Sequence, residues 1–458
     1  MTIEEDSHVD EIMFEDPQQD EKDDVLPLAK NKRVIVSQPS DERVAILHDD
    51  VMRGKLLLQP TYQRQYVWDR QKATSLIESA LMGIPLPVVY FAEEENGKKA
   101  VIDGQQRLTS FFSFIEGKFP NGKIFKLGKM QVFPEYNGRL YKELPEEMQD
   151  RIRDCNIRTI TFKKESDPDL KFNVFERLNT GAVSLNDQEL RNCIYRGKYN
   201  DLLRELAEDP EFKEIVGIAG SEKRMKDVEL VLRYCAFLNL GYTNYQSPIK
   251  KFLNKEMRER AHISDEKIAE IRKCFKNSVS LVKSMLGPRA FRRYVSGQEG
   301  RRDGEWEANK FNVSLFDILM VCFAREDKNR VMHNLDALRE AYIDMQTADT
   351  RFMEFIRLAT STADGVVYRF DAWRKRILEV LQNSQKQPRC FSAALKRELY
   401  DHDPTCSICG QRIATIDDAA VDHIEQYWTG GETIPENARL THRYCNWARA
   451  KGDKVFIP

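Results

Sequence analysis

Three cysteines and a histidine near the C-terminus have the spacing of a tetrahedral zinc site. Cys406 and Cys409 form a C-x2-C pair, and His442 and Cys445 form an H-x2-C pair that begins after 32 intervening residues. Three thiolates and one imidazole at this spacing bind Zn2+ in closed structural sites. The same pattern would also suit a zinc ribbon that only stabilises a fold or binds a partner. The spacing therefore predicts a zinc-stabilised module, without deciding what that module does.

A second group of polar residues lies between and just after these pairs. Asp422 and His423 are adjacent at the end of a strand-like apolar segment, Asn437 follows a Gly-Gly turn, and Asn446 begins a predicted helix directly after the last cysteine. Over residues 398–454 this order resembles the HNH, or ββα-metal, nuclease family, and specifically its zinc-stapled members. The resemblance predicts an endonuclease domain.

The HNH resemblance assigns a role to each of these polar residues. It implies that Asp422 and Asn446 hold a catalytic divalent ion, most often Mg2+. His423 would be the general base that deprotonates the attacking water, and Asn437 would fix the loop that carries the histidine. One departure from the commonest pattern is His442, which stands where many members have cysteine. This histidine could bind zinc or could belong to the active site.

The chemistry of the side chains agrees with those roles. Phosphodiester hydrolysis requires an activated water and a cation that stabilises the charge developing on the phosphate and the leaving oxygen. A carboxylate and an amide oxygen suit Mg2+, whereas thiolates suit zinc, so two metals would be sorted by ligand type. Histidine has a pKa near working pH, which suits proton abstraction.

A polar turn in the N-terminal half provides a second candidate site. The segment VIDGQQRLTSFF, residues 101–112, places Asp103, Gly104 and Arg107 where a predicted strand turns into a helix. Backbone N–H groups at a helix start favour anions, glycine permits close approach, and arginine can bind phosphate with two hydrogen bonds. The segment predicts a phosphate-binding turn. The alternative is that Asp103 and Arg107 simply pair with each other.

Flanking motifs extend this turn into a family resemblance. PTYQRQYVWDRQKATSLIESALMGIPLPVVYF lies upstream and FERLNTGAVSLNDQELRNCIYRG downstream. Together they resemble the GmrSD-type DGQQR family over about residues 38–375, which implies a ParB/sulfiredoxin-like domain and nucleotide-dependent restriction of modified or phage DNA. The implied residues for binding GTP or another NTP are Asp103, Gly104, Gln105, Gln106, Arg107, Asn179 and Thr180. Tyr62, Gln63 and Arg64 are implied to sense DNA or its modification.

Two observations leave parts of that assignment open. The chain has no G-x4-G-K-[ST] P-loop, so NTP hydrolysis would have to use the DGQQR turn. Asn179 and Thr180 could instead only end a helix and form its turn.

The elements that must position these residues predict an α+β protein. The interpretation divides the chain into an acidic tail over 1–33, expected to be disordered, and a ParB-like sensor domain over 34–190. A helical domain over 191–383 and a zinc-stapled ββα domain over 384–458 follow. The stretch 250–293 holds thirteen lysines or arginines against five acids. It could follow a phosphate backbone, but a solvated helix surface is the preferred interpretation.

Composition predicts a soluble, cytoplasmic protein. The 458-residue chain has a net charge of −2, an acidic N-terminus without a signal-peptide pattern, and no apolar run of membrane-spanning length. Six cysteines outside the cluster are scattered through apolar helical patterns, as expected for reduced core residues.

The combined prediction is a nucleotide-regulated DNA endonuclease of an anti-phage restriction system. It would use structural Zn2+, catalytic Mg2+ and an NTP, and its partner would be double-stranded phage or modified DNA rather than a membrane. A homodimer and contacts with modification-system proteins are further expectations. The alternatives are an NTP-binding DNA-binding regulator with a purely structural zinc module, and an HNH nuclease toxin.

Overall fold

A computed structural model describes most of the chain between residues 35 and 450. The described residues are 13–15, 35–58, 66, 68–94, 96–178, 186–217, 225–298, 300–308, 310–383, 391–426 and 431–450. The first strand, β1 (Met13–Glu15), comes from the acidic tail, and the rest of that tail lies outside the described residues.

The N-terminal region is a mixed five-stranded sheet with helices on both faces. Its strands are β2 (Ser37–Arg43), β3 (Leu56–Leu57), β4 (Val89–Glu93), β5 (Lys99–Asp103) and β6 (Asn156–Phe162). They are ordered β2-β6-β4-β5-β3. The pairs β6/β4 and β5/β3 are parallel, and the pairs β2/β6 and β4/β5 are antiparallel. The helices of this region are α1 (Val44–Met52), α2 (Arg70–Leu81), α3 (Gln105–Glu116), α4 (Glu146–Arg153), α5 (Pro168–Leu178) and α6 (Asp187–Ile194).

Local sequence signals explain several of these elements. Asp69 caps α2 by accepting a hydrogen bond from the backbone N–H of Lys72 at 2.7 Å, as the sequence predicts. The predicted strand, tight turn and helix around DGQQR are β5, Gly104 and α3. Phe111 and Phe114 of α3 are fully buried in the core between the helices and the sheet, so the turn is anchored on both sides.

The central region is helical and has the largest core, which runs from Tyr195 to Leu381. Its helices are α7 (Lys198–Ala207), α8 (Pro210–Val216), α9 (Lys226–Leu240), α10 (Ile249–Glu259), α11 (Asp265–Leu286), α12 (Val313–Phe323), α13 (Lys328–His333), α14 (Leu335–Ala348), α15 (Thr350–Arg357) and α16 (Ala363–Asn383). An antiparallel pair, β7 (Tyr294–Val295) and β8 (Glu305–Trp306), precedes β9 (Lys310–Asn312). β1 pairs with β9 in parallel, which departs from the disorder expected for the acidic tail.

The C-terminal module is small and has the predicted ββα order. It consists of α17 (Ala393–His402), β10 (Ala419–His423), β11 (Ala438–His442) and α18 (Arg443–Ala450). β10 and β11 are antiparallel and place Asp422 opposite Arg439. The chain is thus α+β, as the sequence predicts. Among the described helices, none combines the length and apolar character needed to cross a bilayer.

Candidate metal centre and nuclease site

The four predicted zinc ligands converge in the buried centre of the C-terminal module. One ligand atom from each of Cys406, Cys409, His442 and Cys445 lies within 4.8 Å of all the others. The Nδ1 atom of His442 is 3.4 Å from the Cys409 sulfur and 3.9 Å from the Cys445 sulfur. The C-x2-C turn closes through Gly410, whose φ of 73° suits glycine and whose N–H donates to the Cys406 carbonyl at 2.8 Å.

This donor set fits zinc. Hydrogen bonding from Cys445, together with the contact from His442, lowers the pKa of Cys406 to about 3, so the cluster stabilises a thiolate. Three sulfurs and one imidazole in a closed, buried cluster are the ligands of a structural zinc site. The geometry also groups His442 with the cysteines rather than with Asp422 and His423.

Two arginines hold the carboxylate of Asp422. Its Oδ2 atom accepts hydrogen bonds from Arg439 Nε at 3.0 Å and Nη2 at 2.6 Å, and from Arg449 Nη1 at 2.5 Å. Arg439 comes from β11 and Arg449 from α18, so the carboxylate ties all three elements of the ββα unit together. The Asp422 side chain is 12% exposed, against 23% for Arg439 and 28% for Arg449. The guanidinium groups therefore form the solvent side of this site.

Sequence reasoning missed both arginines because each pairs across the fold. One signal was present: residues opposite each other in a β-hairpin interact, and Arg439 faces Asp422 if the two motif strands pair.

His423 ends β10 and is positioned by two neighbours that the motif does not name. Its Nε2 atom is 2.9 Å from Thr433 Oγ1, and its ring lies 4.4 Å from the ring of Phe391, with 41° between the planes. If Nε2–H donates to the threonine, the lone pair is on Nδ1, and this nitrogen can then accept a proton.

Asn437 holds together the chain that follows His423. Its side-chain oxygen accepts from the N–H of Glu425 at 2.7 Å, and its amide donates to the carbonyls of Glu425 at 3.1 Å and Glu432 at 2.8 Å. The backbone of Ile424 also donates to the Asn437 carbonyl at 2.9 Å. The loop after the histidine is therefore closed at its base by one residue.

Asn446 lies in the first turn of α18, the helix that also carries Arg449. It is half-buried and precedes Arg449 by three residues, and residues three apart share one face of a helix. Asn446 and Arg449, which contacts Asp422, therefore share one face of α18. A carboxylate and an amide oxygen are suitable ligands for Mg2+.

In the DGQQR turn, Gly104 and Arg107 both make close contacts within the protein. Gly104 adopts a left-handed φ of 97° between β5 and α3, and a Cβ there would lie 2.7 Å from Val89 Cγ2. Arg107 donates to Asp103 Oδ2 at 2.8 Å, to the Val88 carbonyl at 3.2 Å and to the Pro87 carbonyl.

Arg107 pairs within the turn in this arrangement, and a contact between Arg107 and phosphate stays a prediction. Its side chain is 13% exposed and burial lowers its pKa, whereas Asp103 is 54% exposed. The pairing of Asp103 with Arg107, the alternative for this turn, is the arrangement found. Gln106 Oε1 accepts weakly from the Trp68 N–H at 3.4 Å, and Gln105 is buried.

The remaining implied sensor and nucleotide residues lie outside the described part of the chain. These are Tyr62, Gln63, Arg64, Asn179 and Thr180.

Most of the basic stretch 250–293 is ion-paired within the chain. The pairs are Lys250–Glu176, Lys255–Glu259, Arg258–Asp169, Arg260–Glu256, Lys267–Glu270, Arg272–Glu205, Lys283 with Glu211 and Glu214, Arg289–Asp417, and Arg293–Glu307. Partial neutralisation by neighbouring carboxylates favours a helix surface over a track for a phosphate backbone.

Two segments of the sequence match known protein families. Residues 46–196 match the family described as GmrSD restriction endonuclease, N-terminal domain, and residues 406–452 match the HNH endonuclease family. No curated protein matches the chain. The chain thus joins a GmrSD-type N-terminal domain to a C-terminal HNH endonuclease domain, as the motifs predict. The two matches support a nuclease of a restriction system that acts on DNA and uses a metal ion.

Proposed function

We propose that the chain hydrolyses DNA phosphodiesters at Asp422, His423 and Asn446, under the control of a nucleotide bound by its N-terminal domain. The observation that supports nuclease activity is the position of His423 at the end of β10, where Phe391 and Thr433 orient its ring. An oriented imidazole beside a carboxylate can take the proton from an attacking water.

Asn437 has a positioning role in this proposal. Its hydrogen bonds to Glu425 and Glu432 hold the loop that follows the histidine, so the imidazole keeps a fixed place relative to a bound phosphate. This use of side-chain hydrogen bonds to fix a catalytic loop needs no contact between Asn437 and the substrate.

Asp422 and Asn446 would hold the divalent ion, which when bound supplies Lewis-acid stabilisation of the phosphate and leaving oxygen. Arg439 and Arg449 then have a second use, because a guanidinium released from Asp422 can pair with a DNA phosphate. The three hydrogen bonds that they make to Asp422 Oδ2 keep the carboxylate oriented until that exchange. One such centre cuts one strand, so a double-strand break would require a second copy or a second nick.

The N-terminal domain would sense foreign or modified DNA and bind an NTP at the turn from Asp103 to Arg107. The support is the start of α3 at Gly104, where backbone N–H groups favour anions, together with the exposed carboxylate of Asp103. That carboxylate suits a ribose hydroxyl or a nucleotide-bound cation better than a phosphate oxygen, since like charges repel.

The test is cleavage of supercoiled plasmid by the full-length, zinc-loaded chain with Mg2+. Wild type is compared with His423→Ala on unmodified and modified DNA, each with and without GTP. His402→Ala is the matched control, because His402 is an exposed histidine of α17 in the same module. We expect His423→Ala to lose about 10²–10⁴-fold in rate, and His402→Ala to cut like wild type.

Two results would contradict parts of this proposal. Undiminished cutting by His423→Ala would remove the nuclease assignment of this site. Cutting that responds neither to GTP nor to Asp103→Asn would leave a nuclease without nucleotide control.

One observation favours a second function, DNA binding without cleavage. The two arginines on Asp422 would suit a phosphate-binding surface even if no catalytic ion ever replaced them. This regulator would bind DNA equally well with alanine at 423 and would cut no substrate in either form.

A further inference from the structure

One turn of the central region reaches into the zinc cluster of the HNH domain. The chain between β7 and β8 carries Arg302 and Asp303, which lie more than 100 residues before the HNH match. We propose that these two are positioning residues of the zinc site, and that zinc binding fastens the nuclease module to the central region. The inference rests on zinc binding by Cys406, Cys409, His442 and Cys445 and is independent of DNA cleavage.

Arg302 contacts a zinc ligand directly. Its Nη1 atom lies 3.6 Å from the Cys445 sulfur, and its guanidinium carbon is 6.0 Å from the centre of the Tyr444 ring. A guanidinium donating to a thiolate withdraws negative charge from the sulfur, as outer-sphere donors do around thiolate metal sites.

Asp303 lies on the opposite side of the ligand His442. The Nδ1 atom of this histidine faces the cysteines, and its Nε2 atom is 3.5 Å from Asp303 Oδ1. The same carboxylate oxygen accepts from the N–H of Ala414 at 2.9 Å, which fixes it in place. A carboxylate on the second nitrogen of a metal-bound histidine orients the ring and raises its basicity.

Gly304 and the buried Tyr294 let this turn pack closely against the C-terminal module. A Cβ at Gly304 would lie 2.4 Å from Tyr294 Oη and 2.8 Å from Asp418 Oδ1, so a side chain there would displace one of these groups. The Tyr294 hydroxyl donates to Asp418 Oδ1 at 2.6 Å, joining β7 to the residue just before β10.

The residue after the histidine ligand provides a second tie to the central region. Arg443 is 2% exposed and donates to Glu340 at 2.7 Å and Asp344 at 3.0 Å, both on α14. Glu340 also pairs with Lys396 of α17 at 3.1 Å. The zinc ligand His442 and the buried Arg443, which contacts α14, are therefore consecutive in sequence. Ordering of the zinc site consequently also orders the contact of Arg443 with α14.

Metal affinity and a spectroscopic signal both test this role in the full-length chain. We expect Asp303→Ala to lower zinc affinity about 10–100-fold in competition with a chromophoric chelator. Asp303→Asn, which keeps an oxygen acceptor, should recover part of the loss. With Co2+ in place of zinc, Arg302→Gln should shift the thiolate-to-metal charge-transfer band to lower energy, since the sulfur regains electron density.

Matched controls come from the same turn. Arg301 and Glu305 form an exposed pair at 2.7 Å, so Arg301→Gln and Glu305→Gln change the charge of the turn without touching the ligands. Both should keep wild-type affinity and spectrum. Zinc removal should also increase hydrogen exchange in residues 294–306 and in α14, but not in α2.

Three results would overturn the proposal. The first is unchanged zinc affinity in Asp303→Ala together with an unchanged cobalt spectrum in Arg302→Gln. The second is loss of affinity in the Arg301→Gln and Glu305→Gln controls to the same extent. The third is two zinc ions per chain, one of them lost in Asp303→Ala, because Asp303, Asp418 and His442 would then be ligands of a second metal.

Discussion

The DGQQR turn and the Asp422 site both pair an aspartate with arginine, but they bury opposite partners. In the turn, the cation is inside: Arg107 is 13% exposed and Asp103 is 54% exposed. At the HNH site, the anion is inside: Asp422 is 12% exposed, beneath two arginines that are each about a quarter exposed. A buried arginine satisfied by carbonyls stabilises a turn, whereas arginines over a buried carboxylate can exchange partners with phosphate.

Aspartate and arginine therefore have different environments at the two sites. At the N-terminal turn, the Asp103 carboxylate is exposed to solvent, and Arg107 donates to the carbonyls of Pro87 and Val88. At the C-terminal site, the guanidinium groups reach solvent, and the proposed function requires them to release Asp422 Oδ2 before a cation binds there. Substitutions at each site separate stability from binding, and the expected effect on the free energy of unfolding decreases from Gly104 through Arg107 and Arg439 to Asp103.

Gly104→Ala should have the largest effect on stability. A left-handed φ of 97° and a Cβ 2.7 Å from Val89 together predict a loss of about 2–4 kcal/mol. Gly117→Ala is the control, because its φ is 85° but nothing lies within 4 Å of its Cβ. Urea unfolding of the full chain should show the smaller loss in the control. Equal losses would mean that the tight approach to Val89 contributes nothing.

Arg107→Ala should destabilise the N-terminal domain by about 2–3 kcal/mol, since the carbonyls of Pro87 and Val88 lose a charged donor. The midpoint of thermal unfolding measures this, with the exposed Arg70 of α2 replaced by alanine as the control. A variant that is fully stable but no longer binds nucleotide would reverse the structural interpretation of this arginine.

Arg439→Gln should change stability by less than about 1 kcal/mol, because Arg439 is itself partly exposed and Arg449 still pairs with Asp422. Its effect should appear in DNA binding. The slope of log K against log[salt] should become shallower by about 0.9, because one phosphate contact is lost. Cleavage should also reach half-maximum at a lower Mg2+ concentration, since a competitor for Asp422 is gone. Arg412→Gln, an exposed arginine of the same module, should alter neither. If Arg439→Gln had the same salt dependence and Mg2+ requirement as Arg412→Gln, Arg439 would not exchange between Asp422 and a DNA phosphate.

Asp103→Asn should have the smallest effect on folding, below about 1 kcal/mol, because its carboxylate is mostly exposed. Its predicted consequence is weaker binding of a fluorescent GTP analogue in the presence of Mg2+. Titration by fluorescence anisotropy measures this at constant protein stability. If Asp103→Asn bound the GTP analogue as tightly as wild type, the nucleotide site would lie away from this turn.

The sequence determined the features that depend on near neighbours. The C-x2-C and H-x2-C pairs, the Asp-His pair at a strand end and the strand–turn–helix around Gly104 all follow from spacing and local backbone preference. Each feature involves residues that are close in the chain, or paired ligands whose spacing suits a metal ion. One sequence is therefore enough to predict them.

Only the tertiary structure decided which charges are buried and by what. Arg302 meets Cys445 across 143 residues of chain, and Arg443 meets Glu340 across 103. Arg272 and Lys283 of the basic stretch likewise pair with carboxylates of other helices, Glu205 and Glu214. Sequence spacing carries no information on such pairs, because they form only when separately folded elements pack and low local dielectric makes each buried charge require a partner.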